Sequence, residues 1–248
     1  MKQVFLFIAL FLSSLNIEGQ TTGEIVYEQT IDVHARMTGQ RAQFKEMVPQ
    51  YRTDQMVLRF DDHQALYTKL EGEEEPVVDP NDRRGRFRSR MMGAANGILW
   101  QNYSADERVE QKDFMDKKFL IKGEPHRYAW KMTGESKQVG QYLCQKATYS
   151  DSTIQLEAWF TPMIPVPLGP GEFGQLPGLV LHVDIDEGQR TITATEINLK
   201  EIDSSTISEP TKGKEVTEEE FRSIVREKMK DMRAQNGGRG FGPPRRGN

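Results

Sequence analysis

The sequence is poor in cysteine and histidine. Cys144 is the one cysteine in 248 residues, so no disulfide within the chain can hold the fold together. None of the four histidines, His34, His63, His126 and His182, lies three or four residues from another histidine or from the cysteine, which excludes the common zinc signatures. The chain also lacks a P-loop, an H-E-x-x-H motif and a G-x-S-x-G nucleophile elbow. The sequence motifs therefore suggest no catalytic residue, no metal and no cofactor.

Apolar residues are scarce, and neither sign of charge dominates. Hydrophobic residues make up 36% of the chain, and this low content predicts that part of it is polar loop and tail. The formal net charge is -4, whereas nucleic-acid-binding domains are usually strongly basic. We therefore expect no nucleic-acid partner.

A long apolar run occurs only at the start of the chain. Lys2 precedes an apolar run from Val4 to Leu15, and Gly19 lies near a plausible cleavage point. This layout is typical of a secretory signal peptide, which we assign to residues 1–19. The run is shorter than the roughly 20 apolar residues that a membrane-spanning helix needs. We expect a mature protein in the periplasm or outside the cell, without a transmembrane segment.

Most of the remaining chain alternates between apolar and polar residues. A period of two is typical of strands that bury one face, and hairpins join several of the segments. The predicted strands lie near residues 25–33, 55–70, 98–103, 114–121, 128–132, 142–149, 154–160, 179–185 and 191–199.

One helix is well specified, close to the C-terminus. Thr217 and Glu220 form a capping box, and apolar residues follow at helical spacing. We predict one β-rich domain over residues 20–234, with a long charged loop at 71–96 and a disordered Gly/Pro/Arg tail at 235–248. The expected fold is mainly β: a curved antiparallel sheet with a C-terminal amphipathic helix. It resembles the incomplete barrels of periplasmic lipoprotein carriers, an analogy that assigns no function.

The stretch from Val139 to Val183 carries several short motifs, among them G-Q-Y, C-Q-K-A, A-W-F-T and Q-L-P-G-L-V. Their order and spacing resemble the GLPGLI family of envelope proteins from Bacteroidetes-type bacteria. The resemblance implies an exported cell-envelope protein of unknown function, and it carries over no catalytic residue.

The motif segment is rich in proline and glycine, which fix or widen the backbone angles. We expect a rigid, irregular connector that covers one end of a hydrophobic core, although such a loop can also hold ligand-facing groups. Its motif residues are Gly169, Pro170, Leu176, Pro177, Gly178 and Leu179.

Three residues are candidate ligand contacts. Trp159 and His182 project from the faces opposite to the apolar sets of their strands, and Cys144 lies on a strand nearby. The alternatives are a solvated sheet face for the first two and a packed small side chain for the cysteine.

Three functions remain open on this evidence. The first is a non-catalytic binding or carrier module for a lipophilic or peptide ligand. The second is an accessory protein that docks on an outer-membrane transporter. The third is a hydrolase or a soft-metal binder that uses Cys144.

Overall fold

A computed structural model describes residues 22–72 and 97–237. The predicted signal peptide, residues 73–96 of the charged loop and residues 238–248 of the tail lie outside the described residues. No helix within the described ranges is long and apolar enough to cross a membrane.

The described chain folds into one sheet of twelve strands and a single α-helix, which confirms the mainly β, curved-sheet prediction. The spatial order of the strands is β12-β6-β5-β4-β3-β2-β1-β11-β10-β9-β8-β7. Neighbouring strands are antiparallel except for β12, which runs parallel to β6. The strands are β1 Gly23–Asp32, β2 Tyr51–Phe60, β3 Gln64–Lys69, β4 Ile98–Asn102, β5 Glu107–Phe114, β6 Lys117–Gly123, β7 Lys131–Val139, β8 Tyr142–Ser150, β9 Gln155–Thr161, β10 Leu179–Ile185, β11 Arg190–Asn198 and β12 Lys214–Val216.

The helix, α1, spans Glu218–Gly237 and begins with the predicted capping box. The Glu220 carboxylate accepts from the backbone N–H of Thr217 at 2.8 Å, and the Thr217 hydroxyl accepts from the N–H of Glu220 at 3.2 Å. Phe221 then packs edge-on against Phe114 and Phe119. These contacts attach the helix to the β5–β6 end of the sheet.

The centre of the core is filled from within the chain. Residues 162–178, which we call the connector, leave β9 and return to β10 across one face of the sheet. The connector contributes five side chains that are each at most 7% exposed: Ile164, Val166, Leu168, Phe173 and Leu176. The Tyr27 hydroxyl donates to the carbonyl of Val180 at 2.8 Å and joins β1 to the start of β10.

The strand prediction was wrong at four places: residues 124–130, β5, most of β7, and β12. Residues 124–130, predicted in part as a strand, form no sheet pairing. Tyr128 and Trp130 in this segment hydrogen-bond to Glu172 and Gly174 of the connector and not to a neighbouring strand. These contacts account for the alternation that suggested a strand. β5 was missed because Arg108 occupies a buried position where an apolar residue would mark the two-residue alternation. Its charge is balanced by ion pairs with carboxylates.

Candidate functional site

Strands β8 to β11 have two chemically different faces. On one face, Ala147, Ala158, Val183 and Ile192 lie opposite one another, and all four are fully buried. The next residue along each strand therefore points to the other face, because side chains alternate across a strand. We call Lys146, Trp159, His182 and Thr193 the Trp159 row, since strand pairing places them side by side.

The structure thus brings together two of the three predicted ligand contacts, Trp159 and His182. Trp159 is only 5% exposed, and the Lys137 ammonium lies 4.1 Å from the centroid of its ring. Its indole N–H donates to the Glu157 carboxylate at 2.8 Å. His182 Nδ1 shares a 2.8 Å hydrogen bond with the Thr193 hydroxyl. The Trp159 row is therefore a fixed polar surface, although its role in ligand contact stays a prediction.

The electrostatics of this face favour a neutral histidine and a charged glutamate. Burial lowers the pKa of His182, and the Lys137 ammonium lowers it further. Burial raises the pKa of Glu157, but hydrogen bonds from Lys146 and Trp159 outweigh that effect and leave it below the ordinary value. Lys146 lies 2.8 Å from the Glu157 carboxylate and has a raised pKa through the same contact.

The third candidate, Cys144, lies in a different environment. Its side chain is fully buried, and the thiol contacts the Tyr142 carbonyl at 3.7 Å. Burial raises the pKa of the thiol to about 11, and the nearby Lys137 offsets only part of that effect. Since thiolate is the nucleophilic and metal-binding form, this environment favours the packed small side chain over a reactive group.

The six motif residues, in the connector and at the start of β10, have mainly a packing role. All except the exposed Pro177 are buried. A Cβ on Gly169 would lie 2.0 Å from the carbonyl oxygen of Phe173, and one on Gly178 would lie 2.2 Å from that of Thr161. These two positions accept only glycine, because the backbone of Phe173 or Thr161 occupies the space that a side chain would need.

Beside the Trp159 row lies a cleft of about 320 Å³ at the rim of β8–β10. The neighbouring row of the same face, Thr148, Glu157 and Asp184, forms one wall. We call this feature the rim cleft and define it by Thr148, Tyr149, Gln155, Glu157, Asp184 and Glu187.

The turn after β10 fixes one side of the rim cleft. The backbone groups and side chain of Asp186 bind Gln155 twice: Asp186 N–H donates to the Gln155 carbonyl, and the Asp186 carboxylate accepts from the Gln155 N–H, each at 2.9 Å. Asp186 and Glu187 both have left-handed backbone angles, with φ of 53° and 55°. The Asp184 carboxylate accepts from the N–H of Gly188 at 2.7 Å. This hydrogen bonding holds Glu187 at the cleft.

An aromatic cluster lies on the opposite, connector-side face of the same strands. The Tyr149 ring meets Tyr128 edge-on at 5.1 Å, and Tyr128 lies 5.3 Å from Trp130 and 5.8 Å from Phe173. The Tyr128 hydroxyl donates to Glu172 at 3.1 Å, and the Trp130 indole donates to the Gly174 carbonyl at 3.0 Å. The cluster therefore anchors residues 124–130 and one side of Tyr149 to the connector.

Sequence reasoning missed the rim cleft and this cluster. Thr148, Glu157 and Asp184 each appear as ordinary polar positions of an alternating strand. The strand register that places them side by side is the missing information. The Y-A-W spacing at residues 128–130 was visible, but it favoured a strand.

A second, larger cleft of about 690 Å³ lies across β1–β4, where residues 199–206 pass over the sheet. Its lining is charged around an apolar floor and includes Glu24, Arg59, Leu66, Lys200, Glu201 and Asp203. Arg59 and Glu24 are ion-paired at 2.7 Å. Among residues 22–72 and 97–237, no group of three or more His, Cys, Asp or Glu side chains is arranged to hold a metal ion.

The fold is similar to part of a solved protein, PNGF-II. Two crystal forms of PNGF-II match the chain with a TM-score of 0.55 and 16% sequence identity. The matches cover 83% and 82% of this chain but only 33% and 32% of the PNGF-II chain. This chain thus spans about a third of the length of the solved chains that it matches, and at this identity the likeness shows the fold alone.

A family match agrees with the structural one. Residues 112–222 match the family described as N-glycanase peptide, N-terminal domain. The matched range includes β6 to β12, the connector, the rim cleft and the Trp159 row. No curated protein matches the chain.

These matches correct the assignment to the GLPGLI family of unknown function, which was wrong. The motifs behind that assignment are buried core and turn residues such as Gly169, Leu176 and Gly178. These motifs reflect how a Gly/Pro connector packs between two strands. Their order therefore follows from local packing.

The functions predicted from the sequence were also wrong, because the matches point to an N-glycanase-type domain instead of a lipophilic or peptide carrier. The carrier hypothesis required an open apolar groove, whereas buried connector side chains such as Phe173 and Leu176 occupy that face of the sheet. The same matches overturn the transporter-docking alternative. The hydrolase or soft-metal alternative relied on Cys144, whose thiol is fully buried.

Proposed function

We propose that this chain is a domain of an exported N-glycan-processing protein and that it engages the glycoprotein from which N-linked glycans are removed. The observation that carries the proposal is the match of residues 112–222 to the N-glycanase N-terminal domain. The shared fold with PNGF-II over most of this chain supports it.

The division of labour follows from the length comparison. The chain corresponds to about a third of PNGF-II, and the matched family is an N-terminal domain. We assign substrate engagement to this chain and hydrolysis of the glycan–asparagine link to the remainder of such an enzyme. The polar face of β8–β11 is the surface best suited to a hydrated substrate, since it carries carboxylates, hydroxyls and the Trp159 indole together.

Calorimetric titration with a glycoprotein tests this function. The purified chain is titrated with a glycoprotein that carries N-linked glycans and, as the matched control, with the same protein after its glycans have been removed. We expect tighter binding to the intact glycoprotein. Equal binding to both forms, or binding to neither, contradicts the proposal.

A release assay tests the division of labour separately. Mass spectrometry of the glycoprotein after incubation measures any loss of glycan mass. We expect no loss with this chain alone. Glycan release by the chain alone would overturn the assigned division of labour.

Export is the second part of the proposal, and the leader pattern at residues 1–19 supports it. N-terminal sequencing of the protein recovered from the periplasm or the culture medium is the test. We expect a mature start near residue 20. A protein that keeps Met1 and stays in the cytosol contradicts this part.

A further inference from the structure

The larger cleft, which lies across β1–β4, opens on the same face of the sheet as the Trp159 row. Glu28 on β1 pairs with Thr193 of that row, and Glu24 of the cleft lies on the same strand at an even spacing from Glu28. Because side chains alternate along a strand, Glu24 and Glu28 project from one face. The cleft volume of about 690 Å³ is within the usual range for ligand sites. The polar surface of β8–β11 therefore continues across β1 to a second concave feature.

The floor of the larger cleft is apolar. Leu66 and Ile98 supply it from the sheet, and Ile202 supplies it from residues 199–206. These side chains form the outer edge of a hydrophobic cluster that continues inward to Trp100. Leu66 is buried, whereas Ile98 and Ile202 are half-buried. An apolar side chain placed on this floor extends the cluster and leaves water, which favours binding.

The chain segment that forms one wall of the cleft is anchored at both ends. The Thr22 hydroxyl donates to the Lys200 carbonyl at 3.2 Å, and the Asp203 carboxylate accepts from the N–H of Ser205 at 2.9 Å. The turn at Ser204–Thr206 then leads to Ile207, which is buried in the same cluster as Leu66. Since this wall is fixed before a ligand arrives, binding has less conformational entropy to overcome.

The opposite wall carries an ion pair and hydrogen-bonding groups. Arg59 Nε lies 2.7 Å from the Glu24 carboxylate, and each of the two side chains is 26% exposed. The guanidinium fork of an arginine has further N–H donors, which suit the carbonyl groups of a peptide backbone. Thr68 and Thr206 add hydroxyl groups, which both donate and accept. The cleft thus combines groups that bind a polypeptide backbone with a floor for a side chain.

The charge of the lining favours a basic ligand. Four carboxylates and two cations line the cleft, which leaves a net formal charge of -2: Glu24, Glu71, Glu201 and Asp203 against Arg59 and Lys200. Glu24 and Arg59 neutralise each other, so the excess lies with the exposed carboxylates. A basic side chain is attracted by this excess, and an acidic one meets like charge.

We propose that the larger cleft binds an extended segment of the glycoprotein's polypeptide in which an apolar side chain stands next to a basic one. The apolar side chain lies on the floor, and the basic one pairs with Glu71 or Glu201. A sugar fits less well, because none of the described lining residues carries an aromatic ring on which it would stack. This inference rests on the proposed function and names the part of the glycoprotein that the cleft recognises.

Three labelled peptides test the chemistry of the ligand by fluorescence anisotropy with the mature full-length chain. They have equal length and blocked ends. The first has leucine beside lysine, the second has glutamate in place of the lysine, and the third has serine in place of the leucine. We expect the first to bind about tenfold more tightly than either of the others, because the second meets like charge and the third buries less apolar area. Equal binding of all three, or a preference for the glutamate peptide, overturns the proposal.

A charge-reversing variant tests the location and gives a result that loss of folding cannot imitate. Glu71→Lys combined with Glu201→Lys changes the net formal charge of the lining from -2 to +2. The glutamate peptide should then bind more tightly than the lysine peptide. Glu124→Lys combined with Glu227→Lys is the matched control, since both residues are exposed and lie outside the cleft. A control that reverses the preference while the cleft variant does not would place the peptide elsewhere and overturn the proposal.

A second pair of variants tests the floor. Ile202→Ala should weaken binding of the leucine–lysine peptide about fivefold and leave the serine peptide unchanged, because only the leucine uses the floor. Ile154→Ala, at a half-buried isoleucine outside the cleft, is the control and should change neither. Thermal melts establish that each variant is folded. The same loss in both variants would contradict the assigned floor.

The two proposals fail in different ways. If no peptide binds while the chain still prefers the intact glycoprotein to its deglycosylated form, this inference fails and the proposed function stands. If the peptides bind as expected but the chain does not bind the glycoprotein, the cleft assignment stands and the proposed function fails.

Discussion

The two faces of strands β8–β11 show how one set of strands serves two purposes. The buried face presents Ala147, Ala158, Val183 and Ile192, whose small or branched side chains leave room for the connector. The other face presents the Trp159 row, in which hydrogen bonds and a cation–π contact hold polar groups at fixed positions. Substitutions on the buried side should therefore change stability, and those on the polar side should change charge and binding. The predictions below separate these effects.

The largest effect is expected where the connector meets backbone. Gly169→Ala places a Cβ 2.0 Å from the Phe173 carbonyl oxygen and 2.9 Å from the Val180 side chain. Backbone must shift, so we expect a loss of about 3 kcal/mol or more in the free energy of unfolding. Urea denaturation measures it.

Gly123→Ala is the matched control for this glycine. A Cβ there meets no heavy atom within 4 Å, and we expect a change within about 0.5 kcal/mol. Similar losses in both variants would show that close approach at Gly169 does not control stability.

The second prediction compares a buried leucine, Leu176, with an exposed one, Leu143. Leu176→Ala should lower the free energy of unfolding by about 2–5 kcal/mol, because the 2%-exposed side chain leaves a cavity. Leu143→Ala removes the same atoms from a side chain that is 60% exposed, and it should cost less than about 0.5 kcal/mol. Equal costs in denaturant titrations would mean that the connector does not seal the core.

The third prediction concerns the cation over Trp159. Lys137→Gln removes the ammonium 4.1 Å from the ring and should cost only about 0.5 kcal/mol, the value typical of exposed cation–π contacts. The same change should raise the pKa of His182, because Lys137 now lowers it. NMR titration of the imidazole measures the shift. Lys131→Gln on the same strand is the control and should leave the pKa of His182 unchanged.

The smallest effect is a pH dependence from His182. Its pKa is lowered in the folded protein, so the unfolded chain binds more protons between that value and the unfolded pKa of about 6.5. Stability from this group is therefore complete above about pH 6.5 and is lost as the pH falls through that window. The lowered pKa of Glu157 acts in a more acidic range, below about pH 4.5.

His182→Gln isolates this contribution because glutamine can still hydrogen-bond to Thr193. Unfolding free energies measured at several pH values should show a shallower slope just below pH 6.5 in the variant. An unchanged slope would show that His182 does not titrate differently in the two states.

Much of the secondary structure could be predicted from the sequence. Alternation at Ile25 to Ile31 and at Leu179 to Ile185 defines β1 and β10, since a strand that buries one face must repeat every two residues. The Thr217–Glu220 capping box defines the start of α1, because both of its hydrogen bonds join residues three apart. Trp159 and His182 also project, as predicted, from the face of the sheet opposite to that of their apolar neighbours Ala158 and Val183.

The candidate site could be predicted only in part. Thr148, Glu157, Asp184 and Glu187 lie on three strands and a turn, and no local pattern links them. Arg108 shows the same difficulty, since a buried arginine obscures the alternation of β5 unless its distant carboxylate partners, Glu172 and Glu218, are known.

The sequence by itself determined most of the strands, the capped helix and the tight Gly/Pro connector, because each of these depends on contacts between near neighbours in the chain. Only the tertiary structure decided that the connector fills the core and that a carboxylate-lined cleft forms at the rim of β8–β10. Those features depend on the register between strands and on the path of residues 124–130 across the connector, both of which are set by contacts between residues far apart in sequence.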